Sequence, residues 1–385
     1  MTVLARVGVA DVLPPSVRAV VGVLAVFAIP GLPIAALLRL PNGLFAGVAV
    51  SVSLAVNILV AQFNYAGGDF HRPYAAQYAV LTLGVVATAV LARQWYRHPG
   101  SAPVAGVLRW ARSGLAPTGD RRISLTLLLA VVVLFGTAVY RLDVHAAGAL
   151  GVVGILGVDY WVGMVLLCVV FVIEYRRAAI DRLTIAVANV VLTAYITMPV
   201  AWSLGTAPFV TGYVHRMITN WLITAGTLPP PVDARISWAG FFSAAANLIT
   251  TTGLYDSVIL VVSASLVFGV LLMFPVYAIG LSITGSRRVA WLGVTMLTLF
   301  NWYQQDYFAP PQAVAMQFYA TILAVLLWQL RNSNVPALAG SWARRMTTAW
   351  RRIPGTGDRP RRGGWTWRSK RRWCSSSPRW WWSIS

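Results

Sequence analysis

The chain has 385 residues, of which 58% are hydrophobic and 11% charged, with a mean hydropathy of +0.67. Soluble globular proteins carry about 25% charged residues, so this chain cannot cover its own surface in water, and its long apolar runs need a lipid bilayer as solvent. That excludes a soluble enzyme, a nucleic-acid-binding domain and a secreted disulfide scaffold.

The net charge of +20 is concentrated rather than spread. Thirteen of the 31 basic residues lie between Arg331 and Arg379, where Asp358 is the only acid, leaving 18 basic and 10 acidic residues in 1–330. An excess of arginine in loops is what orients a membrane protein. Cys168 sits in an apolar run and Cys374 in the basic tail, so no disulfide framework is readable.

Nine apolar runs are candidate spans, at 17–40, 44–65, 75–92, 123–140, 158–175, 183–204, 254–283, 289–302 and 311–330. Most approach the ~20 residues that a ~30 Å hydrocarbon layer requires. The first is interrupted by Pro30-Gly31-Leu32-Pro33, as one kinked helix or two half-helices. No cleavable signal peptide is evident. The expected fold is an all-α polytopic membrane bundle of about nine transmembrane helices. Residues 1–92 form an N-terminal group of about three helices, and 93–122 a basic cytoplasmic loop. A membrane core over 123–330 carries a long outer loop at 205–253, and 331–385 is a basic, Trp/Arg-rich cytoplasmic tail.

Loop charge sets the orientation. The loop from Arg93 to Arg122 holds six arginines against Asp120 alone, and belongs in the cytoplasm. Alternation then places Arg176, Arg177 and Arg182, then Arg287 and Arg288, then the tail inside as well. The N-terminus is expected outside, the C-terminus in the cytoplasm, and the protein in the plasma membrane among membrane lipids. Asp69, Asp143, Asp159, Asp233, Asp256 and Asp306 fall in or beside the outer loops, as do His71, His145 and His215. Any chemistry is therefore expected on the outer face.

Three outer segments carry candidate residues. The longest loop holds Tyr213-Val214-His215-Arg216, then Asp233, then Trp238 before an apolar stretch at 236–249 that fits a helix in the interface or dipping into the bundle. His215, Arg216 and Asp233 suit an acid/base and phosphate-binding set, or else a solvated loop with a capping Asp. The second segment, Asn301-Trp302-Tyr303-Gln304-Gln305-Asp306-Tyr307-Phe308, crowds amides around one acid between two apolar spans. Asp306 is placed to act as a base, a metal ligand or an ion-pair partner, or to cap the helix that Pro310 and Pro311 begin. In the third, Arg141, Asp143 and His145 emerge together. Arginines on the outer side oppose the usual bias, and an anionic lipid headgroup such as a polyprenyl phosphate supplies one reason; snorkelling at the interface is the other. Trp238 is expected at headgroup level.

The Tyr213-x-His215 pattern, the stretch from Ser237 to Phe242, and Asn301-Trp302-x-x-Gln305-Asp306-Tyr307-Phe308 together resemble a family of large actinobacterial membrane proteins of the GT-C glycosyltransferase type. The resemblance covers about residues 120 to 330 and departs at Gln304, at Ala309 and at the second proline of Pro310-Pro311. It implies a polyprenyl-phosphate-linked sugar donor, a glycan acceptor, an outer-loop carboxylate as base and a role in the cell envelope. The candidate bases are Asp306, Asp233 and Asp143, with His215 as a second acid/base. Arg141, Arg216, Tyr213, Trp238 and Gln305 are the candidate substrate contacts, and a divalent metal is an open expectation. A non-catalytic membrane protein or lipid-linked-sugar transporter accounts for the same polar outer residues, and so does an inactive truncated product.

The tail favours that last alternative. Residues 365–385 carry six tryptophans among arginines and serines. The stretch from Arg372 to Trp382, back-translated with GC-rich codons and read in another frame, gives a valine-rich run with alanine and leucine that reads like part of a transmembrane helix. A frameshift is one expectation for 331–385; a basic aromatic segment lying on anionic lipid is the other.

Overall fold

The computed structural model describes residues 27–38, 40–66, 119–206, 210–227, 239–252, 256–300 and 311–332, with isolated positions at 14, 83–84, 86–87, 89–90, 93 and 236. The chain divides into two units, Met1–Pro336 and Ala337–Ser385, and every described residue belongs to the first. Among the described residues the structure is helical, with no strand.

The helices in chain order are α1 (Gly31–Leu37), α2 (Asn42–Ala66), α3 (Gly119–Arg141), α4 (Val158–Arg176), α5 (Arg182–Thr197), α6 (Pro199–Leu204), α7 (Val210–Ala225), α8 (Gly240–Thr252), α9 (Val258–Thr284), α10 (Arg287–Phe300) and α11 (Met316–Asn332). A single π-helical turn, Pro311–Ala315, leads into α11. Five helices are long and apolar enough to cross a membrane, over Gly43–Gln62, Arg121–Arg141, Val158–Arg176, Val258–Thr284 and Ala313–Arg331. They correspond to the expected runs at 44–65, 123–140, 158–175, 254–283 and 311–330. The chain is thus a multi-pass membrane protein in contact with lipid.

The other four runs fare differently. The one at 183–204 is divided at Met198 into α5 and α6. Pro199 has no N–H to offer the Tyr195 carbonyl one turn back. That carbonyl instead accepts the Tyr160 hydroxyl at 2.9 Å. The run at 289–302 becomes α10, 14 residues long. Of 17–40, the described part turns at 28–30 and restarts as α1 at Gly31. Most of the run at 75–92 lies outside the described residues.

Side-chain contacts fix how the helices alternate. Leu44 of α2, Ala278 of α9 and Ala324 of α11 share one cluster, while Ser51 further along α2 meets Thr321 and Gln317, earlier in α11. α2 therefore runs antiparallel to α11. Arg331 at the end of α11 donates to the carbonyls of Leu281 and Ser282 near the end of α9, so those two helices run together. The α3–α4 hairpin closes at its far end through Arg141 and Asp159, and α5 starts beside the start of α3 through Arg121 and Asp181. Arg288 of α10 donates to the carbonyls of Arg177 and Ala178. One end of the bundle accordingly gathers Arg121, Arg122, Arg176, Arg177, Arg182, Arg287, Arg288 and Arg331.

The best-packed region joins α3, α4 and α5. Leu128, Val131, Phe135, Leu167, Val170, Leu192 and Tyr195 form its buried centre. Tyr195 threads between two helices and donates its hydroxyl to the Val131 carbonyl at 2.9 Å. A Cβ on Gly163 would fall 1.9 Å from that hydroxyl oxygen, so α4 must carry glycine there. Gly31 has the same duty where α1 crosses α2. Its N–H donates to Ser53 Oγ at 2.8 Å, and a Cβ would lie 1.8 Å from the Ala49 carbonyl oxygen.

Candidate functional site

At the end opposite the arginine cluster, two arginines are each met by an aspartate at the start of a following helix. Arg141 ends α3, is largely exposed, and pairs with Asp159 in the first turn of α4 at 3.0 Å. Carboxylates are favoured there because the helix start leaves N–H groups unpaired. Asp143 does not join that pair. It turns back to accept the His145 backbone N–H at 3.0 Å and caps the short 3-10 turn Val144–Ala146. Asp143 and His145 are both exposed.

The second arginine anchors a larger network. Arg216 of α7 grips Asp256 with two bonds, Nε to Oδ1 at 2.9 Å and Nη2 to Oδ2. Asn220, one turn along α7, donates to Asp256 Oδ1 at 3.1 Å, and its own carbonyl oxygen accepts from the Ser257 N–H and hydroxyl at 3.2 and 2.8 Å. Asp256 Oδ1 also accepts the Val258 N–H at 2.9 Å, opening α9. The network thus pins the middle of α7 to the start of α9.

Its electrostatics follow from these donors. The Arg216 guanidinium, with help from Asn220 and the Val258 N–H, draws the Asp256 carboxyl down from 3.8 to about 2, against a smaller opposing effect of burial. Asp256 in turn raises the Arg216 pKa. Only the Nε and Nη2 edge of the guanidinium is used; among the described residues Nη1 meets no acceptor, and the side chain is about one-third exposed. Arginine carries five N–H donors in a rigid fork, so an oriented edge stays available to an anionic oxygen.

The remaining described candidates divide by helix face. Tyr213 is exposed on α7, with its hydroxyl 3.4 Å from Thr206 Oγ1. His215 points inward, 3% exposed, with its ring centroid 5.3 Å from that of Phe242. It does not share a face with Arg216. Asp233, Trp238, Gln305 and Asp306 lie outside the described residues or have no described side chain. Much of α8 is buried: Phe242, Ala246, Leu248 and Ile249 are nearly inaccessible. No group of three or more metal-binding side chains occurs among the described residues.

Sequence patterning singled out Arg216 but not its partners. Asp256 and Ser257 directly precede an apolar run, the usual signature of a helix start; that signal marks Asp256 as a cap but cannot join it to a residue 40 positions earlier. A second network was missed altogether. Glu174 is fully buried at the arginine-rich end. It accepts from Ser124 Oγ at 2.9 Å and from the Asp181 N–H at 3.2 Å, and pairs with Arg177 at 2.6 Å. Asp181 caps α5 through Leu183 N–H and the Thr184 hydroxyl, and pairs with Arg121 at 3.0 Å.

Comparison of the chain with protein-family models, with curated proteins and with solved structures returns no match.

Proposed function

We propose that the chain is a GT-C-like glycosyltransferase of about nine spans. It would take sugar from a polyprenyl-phosphate carrier on the outer face of the plasma membrane for cell-envelope glycan synthesis. The observation that carries this reading is the half-used guanidinium of Arg216. Asp256 holds one edge of the fork, and the side chain remains about one-third exposed, at the end of the bundle with the fewer arginines among the described residues. An oriented, permanently charged fork suits a lipid phosphate, and it would stabilise the negative charge that the departing phosphate gains.

Asp256 is the positioning partner in this scheme rather than the base. A carboxyl held near 2 binds a proton too weakly to accept one from a sugar hydroxyl at neutral pH. The base is therefore assigned among Asp143, Asp233 and Asp306. It takes the acceptor hydroxyl proton as the acceptor oxygen bonds to the sugar and the polyprenyl phosphate leaves. Arg141 is a second phosphate contact, with Tyr213, Trp238 and Gln305 as sugar contacts and a divalent metal as an optional helper.

The test is transfer of labelled sugar in membrane vesicles. Arg216→Gln should lower turnover by roughly 100-fold, the usual loss on removing one charge-stabilising donor. Asp306→Asn should abolish turnover with normal expression. Full transfer by Arg216→Gln would defeat the proposal.

One observation favours the transporter alternative. Ser51 of α2 bonds Thr321 of α11 at 2.8 Å and accepts from Gln317, in the first turn of α11, at 3.2 Å; all three are buried inside membrane-crossing spans, and Gln317 Oε1 meets no donor among the described residues. Polar groups at membrane depth beside an irregular helical turn are a pattern of transport sites. Movement of the carrier lipid across vesicles without sugar transfer would establish that reading.

A further inference from the structure

A partly enclosed cavity of about 90 Å³ lies among α2, α8 and α9. Leu54 and Ile58 of α2, Phe241 and Leu248 of α8, and Leu260 and Phe268 of α9 are among the residues of its wall. Among the described lining residues the only hydroxyl, that of Ser263, is turned back onto the Ile259 carbonyl of its own helix. A water molecule needs about two to four polar partners to reside in a cavity, and this lining does not supply them. Empty space would forfeit dispersion contacts around its whole wall.

Location and size identify the occupant. α2 and α9 are both membrane-crossing helices, so the surrounding fluid is hydrocarbon. The α9 wall from Leu260 to Phe268 lies within about 15 Å of the start of that helix. That is half of a ~30 Å hydrocarbon layer, or one leaflet. An apolar cavity of about 150 Å³ accepts a benzene ring; this smaller one has room for a short unbranched segment of a methylene chain, and the methyl branches of an isoprenoid would widen that segment. α8 is a short helix inserted beside α2, and a chain in the cavity would bridge it to α9.

We propose that this cavity is a binding site for a short segment of one linear acyl chain of a bilayer phospholipid, separate from any site for an isoprenoid carrier. The chain completes the packing of α8 against α9 from the leaflet in which the Arg216–Asp256 network stands. The site does not depend on the transferase reading, and a protein without transfer activity would still hold its lipid.

The test uses the full chain in lipid nanodiscs containing phosphatidylglycerol with a photoactivatable diazirine on its palmitoyl chain, with a diazirine-bearing polyprenyl phosphate in a parallel arm. After illumination, labelled peptides are mapped by mass spectrometry. The acyl probe should label 241–248 and 260–268 several-fold more than the lipid-facing stretch 161–172 of α4. Ala244→Phe, which fills the cavity, should bring the first two down to the level of α4. Ser263→Phe fills it from α9 and serves if the first variant does not fold. Labelling no stronger than that of α4, labelling that survives both fillings, or preferential labelling of the cavity by the polyprenyl probe would each overturn the proposal.

Discussion

The Glu174 carboxylate, completely buried at the end of α4, lies 2.6 Å from the guanidinium of Arg177. Ser124 joins both partners, donating to Glu174 and accepting from Arg177 Nη2 at 3.1 Å, so α3 is tied into the same pair. Breaking such a pair from one side leaves a buried charge uncompensated, whereas removing both charges costs little. Arg177→Ala should therefore destabilise the protein by about 3–5 kcal/mol. The double change Glu174→Gln with Arg177→Met should recover most of that loss. Unfolding midpoints in mixed detergent micelles measure both, and equal loss in the single and double variants would contradict the account.

Tyr160 and Pro199 make a second linked pair. The proline frees the Tyr195 carbonyl and the Tyr160 hydroxyl occupies it. Tyr160→Phe should cost about 1–3 kcal/mol, the usual penalty for an orphaned buried acceptor. Adding Pro199→Ala restores an N–H one turn beyond Tyr195 and should return part of it. The interaction energy between the two changes, taken from a double-mutant cycle, is expected to be favourable; strict additivity would show that the carbonyl is satisfied in another way.

Asp256 gives the protein an acid-sensitive joint. Its folded pKa of about 2 lies below the ordinary 3.8, so its contribution to stability is complete above pH 4. It is lost as the pH falls from about 4 to about 2, where the folded state also takes up the proton. The side chain is more than one-third exposed, and solvent screening reduces the effect to about 1 kcal/mol. Asp256→Asn should flatten that part of the stability-against-pH curve. A curve of unchanged shape would remove Asp256 from the balance.

Orientation is checked with fusions. A reporter joined at Gly106, in the basic loop, should read cytoplasmic, and one at Thr227, just after α7, should read external. The reverse pair of results would invert the bundle.

Sequence patterning located helices wherever a run of apolar residues was long enough to be unambiguous, as in α2, α3, α4, α9 and α11. It passed over the break at Pro199 because hydropathy is blind to a missing N–H. Arg141 and Arg216 drew attention as outer arginines, but their partners did not. Asp159 is 18 positions away and Asp256 is 40, and only the packing of helices brings them within reach. His215 and Arg216 are neighbours in sequence yet face different surroundings, since one helical step turns the side chain by about 100°. Nothing in the sequence around Glu174 marks it as buried; its polar partners Ser124, Arg177 and Asp181 are brought to it by the fold.

The segregation of arginine to one end makes the bundle an object with electrical polarity. Among the described residues that end holds eight arginines against Asp120, Glu174 and Asp181, while the other holds Arg141 and Arg216 against Asp143, Asp159 and Asp256. Driving one elementary charge against a potential of 100 mV takes about 2.3 kcal/mol. With that end in the cytoplasm, as loop charge predicts, turning the bundle over would carry its surplus of five positive charges outward, at about 12 kcal/mol of electrical work per 100 mV. In that orientation an energised membrane would oppose inversion of the bundle, as it would hold a voltage sensor in one position.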